Sequence, residues 1–179
     1  MRPTLINIAL FQLGWFACVL GGAYDYAILG TGIAIAIIIF HLSRADAWQQ
    51  ELLLILIAMF IGFAWDSYLI YQEWINYSHG QLSVNTAPYW IVVMWGLFTT
   101  TLNVSLKWLK NRLATSILFG AIGGPLAYYA GSNLGALAFI DMQKAIVALA
   151  IGWGIITPLL FQLSGYLNGF RNEPARSTS

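Results

Sequence analysis

The chain has 179 residues, of which 59% are hydrophobic and only 8% are charged, and its formal net charge at pH 7 is +1. A soluble domain carries about 25% charged residues, so this composition excludes a water-soluble protein and predicts one that lies in a lipid bilayer. The small net charge gives no basis for binding nucleic acid. One cysteine, Cys18, and two distant histidines lack the spacing of a zinc site. We expect no metal and no cofactor.

Six apolar segments are long enough to cross a membrane, which takes about 20 residues of helix. Because lipid offers no hydrogen-bond partner for open backbone groups, each segment must be helical. The predicted spans are residues 5–23, 26–42, 52–75, 89–108, 113–139 and 144–167. We therefore predict an all-α membrane protein, a single bundle of six transmembrane helices over residues 1–168. Residues 169–179 form a short polar tail.

The distribution of basic residues predicts the orientation of the bundle. Six spans place both termini on one side of the membrane, and that side then holds Arg2, Arg44, Lys107, Lys110, Arg112, Arg171 and Arg176. The opposite side holds only Lys144. Basic residues concentrate in cytoplasmic loops. We therefore expect both termini to lie in the cytoplasm.

The third span, which contains FIGFAWDSYLIYQEW, carries Asp66 within an apolar helix. Placing an aspartate in the middle of a membrane helix costs about 2.5–3.5 kcal/mol of insertion free energy. Eleven Leu, Ile and Phe residues between positions 52 and 70 favour insertion by roughly 3–7 kcal/mol in total, which offsets that cost. Gly62, one turn earlier, would let a neighbouring helix approach closely. Asp66 is either a functional carboxylate or a hydrogen-bonded link between helices. Glu73 is expected at the outer surface.

The fourth span carries a polar stripe at helical spacing, formed by Gly96, Thr99 or Thr100, Asn103 and Lys107. Thr99 and Thr100 are expected at the depth of Asp66 and are its candidate partners. Asn103 should lie nearer the cytoplasmic side.

The fifth span reads FGAIGGPLAYYAGSNLGALAF and is rich in glycine. One helical face combines Gly120, Gly124, Tyr128, Gly131 and Gly135. Small residues four apart indicate close helix packing. Pro125 should kink the helix near the middle of the membrane. The alternative is that the kink opens a cavity into which Tyr128 points its hydroxyl.

Four segments of the chain resemble an uncharacterised bacterial inner-membrane family that is defined only as a domain of unknown function. They are FQLGWFACVLGG at 11–22, Asp66–Ser67, PYWIVVMWGLF…LNVSLKWL at 88–109 and GGPLAYYAGSNLGA at 123–136. The matching positions are Gln12, Gly14, Asp66, Ser67, Trp95, Asn103, Ser105, Trp108, Gly124, Pro125, Tyr128, Gly131 and Gly135. The resemblance implies a multi-pass protein of the inner membrane of a Gram-negative bacterium. Members tend to be encoded beside lipid-modifying methyltransferases and flavin oxidoreductases, which implies a link to fatty-acyl chemistry.

A second, local similarity concerns GFAWDSYLI, which resembles the aspartate segment of lysoplasmalogenase-like membrane hydrolases. Those hydrolases use a second intramembrane aspartate, which this chain lacks. Three functions therefore stay open. The first is an accessory membrane protein that binds a lipid, another small molecule or a partner membrane enzyme. The second is a small carrier or substrate-binding subunit that uses Asp66. The third is a lipid-active enzyme with Asp66 as acid or base.

Overall fold

The computed structural model of the protein describes residues 2–170, which form a bundle of six α-helices. The helices are α1 (Arg2–Ala23), α2 (Ala27–Ser43), α3 (Trp48–Tyr71), α4 (Tyr89–Thr99), α5 (Leu113–Asn133) and α6 (Met142–Tyr166). Two short strands, β1 (Ile75–Tyr77) and β2 (Leu137–Phe139), and a 3₁₀ helix, Lys107–Leu109, lie between them. Apart from its first two residues, the predicted polar tail lies outside the described residues.

Four of these helices, α1, α3, α5 and α6, are long and apolar enough to cross a membrane. The other two, α2 and α4, have 17 and 11 residues and are shorter. The structure therefore agrees with an all-helical membrane protein.

The helix of the fourth predicted span ends at Thr99, whereas the apolar run suggests a helix to residue 108. Three consecutive threonine hydroxyls donate to the carbonyl three residues earlier: Thr99 to Gly96 at 2.6 Å, Thr100 to Leu97 at 2.7 Å and Thr101 to Phe98 at 2.7 Å. Such bonds compete with the helical backbone pattern. Residues 100–106 consequently run as tight turns, and the predicted polar stripe is not one face of an α-helix.

The third and fifth predicted spans also end earlier than expected, because both helices close with a left-handed residue. Glu73 has φ 57° and Gly135 has φ 87°. In each case the next amide bonds a carbonyl five residues back, at Leu69 and Gly131 respectively, which is a common helix C-terminal motif. Gly135 therefore lies outside α5. The chain then enters an antiparallel ribbon in which Tyr77 pairs with Leu137.

The bundle has two chemically different ends. The ribbon end carries β1 and β2, and Lys144 lies there near the start of α6. The basic end carries Arg44 after α2, and Lys107, Lys110 and Arg112 between α4 and α5. Within the bundle, α1 packs on α2 and α4, α3 packs on α4, and α5 packs on α6. The α5–α6 pair thus forms a hairpin beside the other four helices.

Candidate functional site

Asp66 is the centre of a buried polar cluster that joins four elements. Its side chain has no exposed surface. Its Oδ1 accepts hydrogen bonds from the hydroxyls of Tyr128 at 2.6 Å and Tyr77 at 2.7 Å, and its Oδ2 accepts one from the indole Nε1 of Trp95 at 2.7 Å. The donors come from α5, β1 and α4. We call Asp66, Tyr77, Trp95 and Tyr128 the carboxylate cluster.

The glycine one turn before Asp66 makes this cluster possible. A Cβ atom at Gly62 would overlap the indole ring of Trp95. Because Gly62 has no side chain, the indole lies directly against α3, where its N–H reaches the carboxylate. The close approach predicted at this glycine therefore involves an aromatic side chain.

Two members of the carboxylate cluster, Trp95 and Tyr128, line an apolar cavity between helices α1 and α4 and the α5–α6 hairpin. The cavity has a volume of about 570 Å³. Its aromatic lining consists of Phe11, Trp15, Trp90, Trp95, Phe98, Phe119, Tyr128 and Trp153. The rings of Trp95 and Trp153 stack with centroids 4.3 Å apart and planes inclined by 16°. Asp66 itself is not among the lining residues, so its carboxylate lies behind the wall.

The edge of this apolar cavity reaches the outside of the bundle. Ile8, Phe119 and Leu126 line it, and these side chains are 44%, 39% and 60% exposed. A groove with exposed apolar side chains at its rim is accessible from the surface that would meet lipid chains. Ligand pockets typically enclose about 300–1,000 Å³ and are mostly apolar, and this cavity has both properties.

The glycines of α5 divide into two kinds. A Cβ atom at Gly120 would overlap the carbonyl oxygen of Trp153, and one at Gly124 would overlap the Trp153 ring, so these two glycines bring α5 against α6. Gly123, by contrast, has no atom within 4 Å of the position that a Cβ would take, and it lines the cavity. Gly131 has only the Leu137 side chain nearby, at 3.6 Å.

Two further residues are notable on the helices that border the cavity. Pro125 lies inside α5 and is buried. Having no N–H, it cannot form the helical hydrogen bond at that position. On α6, the fully buried hydroxyl of Thr157 borders the cavity and has no hydrogen-bond partner among the described residues. A buried hydroxyl without a partner is unfavourable, so a ligand atom that bonds it would be stabilised.

Of the sequence-based candidates, the structure brings Tyr128 to Asp66 and separates two others from it. Thr99 is fully buried, but its hydroxyl bonds the Gly96 carbonyl of its own helix. Asn103 lies at the basic end, where its amide nitrogen donates to Oε1 of Glu51 at 2.5 Å. Glu73 is exposed, as expected.

Glu51, absent from the sequence-based candidates, is a second fully buried carboxylate. Two more groups contact the Glu51 carboxylate in addition to the Asn103 amide. The backbone N–H of Gly169 donates to Oε1 of Glu51 at 2.8 Å, and Nε2 of His41 lies 3.0 Å from Oε2 of Glu51. A signal for its burial exists in the sequence. Glu51, Ile55, Ala58, Gly62 and Asp66 follow one another at helical spacings of 4, 3, 4 and 4.

Tyr77 was missed for a different reason, because it follows the third span in what the sequence presents as an outer loop. The ribbon turns it back towards Asp66, and only 3% of the residue is exposed. No local pattern predicts that pairing. Among the described residues, no group of three or more His, Cys, Asp and Glu side chains is placed to hold a metal ion.

Comparison with known proteins places the chain in a family. No curated protein and no solved structure matches it. A family model described as a protein of unknown function (DUF2878) matches residues 4–159, which is most of the chain. This match confirms the resemblance to a family of unknown function. The chain belongs to the DUF2878 family.

Proposed function

We propose that this protein is an accessory membrane protein that binds an apolar or amphipathic molecule, such as a lipid chain, in the cavity beside the carboxylate cluster. The observation that carries the proposal is the cavity itself, of about 570 Å³, with an apolar lining that includes eight aromatic side chains and with an edge at the outside of the bundle. Water molecules find few hydrogen-bond partners in such a site, whereas a hydrocarbon chain makes many dispersion contacts with its walls. The hydroxyl of Thr157 would receive a polar group of the ligand.

The carboxylate cluster supports this function by positioning the wall. Asp66 accepts hydrogen bonds from Trp95 and Tyr128, and both rings line the cavity. An aromatic ring that is bonded through its polar atom has little freedom to rotate. The cavity would therefore keep its shape when no ligand is bound, which reduces the entropy lost on binding.

Two other functions receive less support from the geometry. A carrier that uses Asp66, or a lipid-active enzyme with Asp66 as acid or base, needs contact between this carboxylate and its substrate. Asp66 does not line the cavity, and its three polar neighbours all donate to it. Binding without chemistry, with the ligand passed to or from a partner membrane enzyme, requires no such contact.

We further propose that all six helices cross the inner membrane of a bacterium, with both termini in the cytoplasm. The division of the described basic residues supports this orientation. Arg44, Lys107, Lys110 and Arg112 lie at one end of the bundle and Lys144 lies at the other. At the basic end, the tight turns at residues 100–106 follow directly on α4. The fourth membrane segment is therefore longer than the α-helix that ends at Thr99.

Crosslinking with a photoactivatable lipid tests the binding function directly. The protein in its native membrane would be supplied with a phospholipid that carries a diazirine in one acyl chain, irradiated and mapped by peptide mass spectrometry. We expect crosslinks to concentrate on cavity residues such as Phe11, Met94 and Gly123. Ile28 and Phe60, which are 80% and 73% exposed and do not line the cavity, are the reference for ordinary lipid contact. Equal crosslinking at both sets of residues would contradict the proposal.

A further inference from the structure

A second cavity lies at the basic end, on the other side of α1 from the apolar cavity. It has a volume of about 1060 Å³ and is bordered by α1, α2 and residues 100–111. One part of its wall is apolar and includes Leu10, Ile37 and Phe40, whereas another part carries the basic side chains of Arg44, Lys107 and Lys110. None of the described residues that line it is acidic. We call it the amphipathic cavity.

The two cavities are separated by contacts between α1 and the segment that follows α4. The Oγ of Ser105, a residue of the apolar cavity, donates to Oδ1 of Asn7, a residue of the amphipathic cavity, at 2.5 Å. The amide nitrogen of Asn7 donates to the carbonyl of Thr100 at 3.0 Å. A ligand in one cavity is therefore not an extension of a ligand in the other, and the second site does not depend on the proposed function.

The charged residues that line the amphipathic cavity are basic: Arg44, Lys107 and Lys110 line it, and no lining residue among those described is acidic. The buried carboxylate of Glu51 lies behind the wall and is already bonded by His41, Asn103 and Gly169. A concave site with a surplus of one sign of charge attracts ligands of the opposite sign.

Lys110 is a partly buried member of this basic set, and burial is the main influence on its pKa. Its ammonium is half-buried, and Nζ donates to the backbone carbonyl of Ser164 at 3.1 Å. Burial lowers the pKa of Lys110, the carboxylate of Glu51 opposes the shift, and the charge of Lys107 adds to it. An anion beside Lys107 and Lys110 would offset both the burial and the repulsion between the two ammonium groups.

Asn103 contributes a buried polar atom that has no hydrogen-bond partner among the described residues. Its Nδ2 donates to Glu51 and, at 3.3 Å, to the carbonyl of Leu167, so its orientation is set by two acceptors. Its Oδ1 is consequently turned away from them and is buried without a hydrogen-bond partner among the described residues. Asn103 borders the amphipathic cavity. A hydroxyl beside the anion would find an acceptor there.

We propose that the amphipathic cavity binds an anionic phospholipid, with the phosphate ester between Arg44, Lys107 and Lys110 and an acyl chain along the apolar wall. Basic groups bind phosphate oxygens through charge-assisted hydrogen bonds. The exposed indole of Trp108 borders the same cavity, and tryptophan is enriched at the level of lipid headgroups. A headgroup with a hydroxyl, such as glycerol, suits Asn103.

The test measures the thermal unfolding temperature of the purified full chain in detergent micelles that are titrated with defined lipids. We expect phosphatidylglycerol to raise this temperature more than phosphatidylcholine does. The double variant Lys107→Gln/Lys110→Gln should need about thirtyfold more phosphatidylglycerol for the same stabilisation, because two basic side chains beside an anionic lipid are lost. Lys107→Arg/Lys110→Arg keeps both charges and should behave as the wild type.

A matched control separates a specific site from general attraction. Lys144→Gln removes a basic residue at the ribbon end, which does not line the amphipathic cavity, and it should leave the response unchanged. An equal response to both lipids, or equal weakening by Lys144→Gln, would overturn the proposal. Stabilisation by glycerol phosphate or inorganic phosphate equal to that by phosphatidylglycerol would assign the site to soluble phosphate esters and would overturn the lipid assignment.

Discussion

The hydroxyl of Tyr128 lies 2.6 Å from Oδ1 of Asp66, and this hydrogen bond joins α5 to α3 across the bundle. The ring of Tyr128 lines the apolar cavity, but the carboxylate behind it does not. Asp66 therefore acts on the cavity only through the side chains that it orients. That relationship favours a positioning role for Asp66 over acid–base catalysis.

We expect Asp66→Asn to lower the free energy of unfolding by about 2 kcal/mol, because an amide cannot accept from all three donors and a buried polar group without a partner costs about 1–3 kcal/mol. Unfolding in mixed micelles measures the change. Glu73→Gln makes the same chemical change at an exposed position after α3 and should have almost no effect. Unchanged stability in Asp66→Asn with loss of the bound ligand would contradict the positioning role.

Gly62→Ala should destabilise the protein by about 1–3 kcal/mol, because its Cβ atom would overlap the Trp95 indole and force this well-packed region to shift. Gly32→Ala is the control, since nothing lies within 4 Å of the corresponding position in α2. Removing an exposed glycine from a helix should stabilise the protein by up to about 1 kcal/mol. Equal effects of the two substitutions on the unfolding temperature would show that Trp95 does not pack against α3 as described.

Glu51→Ala should destabilise the basic end, because the Asn103 amide, the Gly169 N–H and the His41 ring would lose their common acceptor. We expect a loss of about 3 kcal/mol and faster hydrogen exchange at the Gly169 amide. Gln50→Ala, at the adjacent exposed position, should change neither quantity. Normal protection of Gly169 in Glu51→Ala would argue against this contact.

The proposed orientation predicts which loops a membrane-impermeant thiol reagent reaches in intact bacterial cells. Cys18 has no exposed surface, so the background labelling should be small. A cysteine introduced as Ser83→Cys, in the exposed loop at the ribbon end, should react in intact cells. One introduced as Asn111→Cys, at the basic end, should react only after lysis. The reverse pattern would place the termini outside.

The sequence predicts much of this fold because bilayer insertion depends on a property that is local in the chain. The presence of the long apolar helices α1, α3, α5 and α6 follows directly from the sequence, and the third and fifth helices start close to their predicted positions. The sequence also marks Asp66 and Tyr128 as unusual, since a carboxylate in an apolar run and an aromatic residue on a glycine face both break a regular pattern.

The remaining features depend on contacts between residues that are distant in the chain. Helix α4 ends at Thr99 because the hydroxyls of three consecutive threonines donate hydrogen bonds to backbone carbonyls. The hydrophobicity of the segment does not indicate this helix end. The partners of Asp66 include Tyr77, which reaches it only because β1 pairs with β2. The acceptor for Asn103 is Glu51, 52 residues earlier in the chain. None of these partners follows from helical spacing within one segment.

The apolar cavity offers the most direct measurement of the central claim through Gly123, a lining residue at which an added Cβ atom meets nothing within 4 Å. We expect a larger side chain at this position to extend into the cavity. Wild type, Gly123→Leu and the matched control Gly32→Leu would be purified in mild detergent, and the retained ligand would be counted by native mass spectrometry. We predict similar unfolding temperatures for all three. Gly123→Leu should retain several-fold less ligand than the others, since a filled cavity excludes it. Equal retention in Gly123→Leu and the wild type would contradict binding in this cavity.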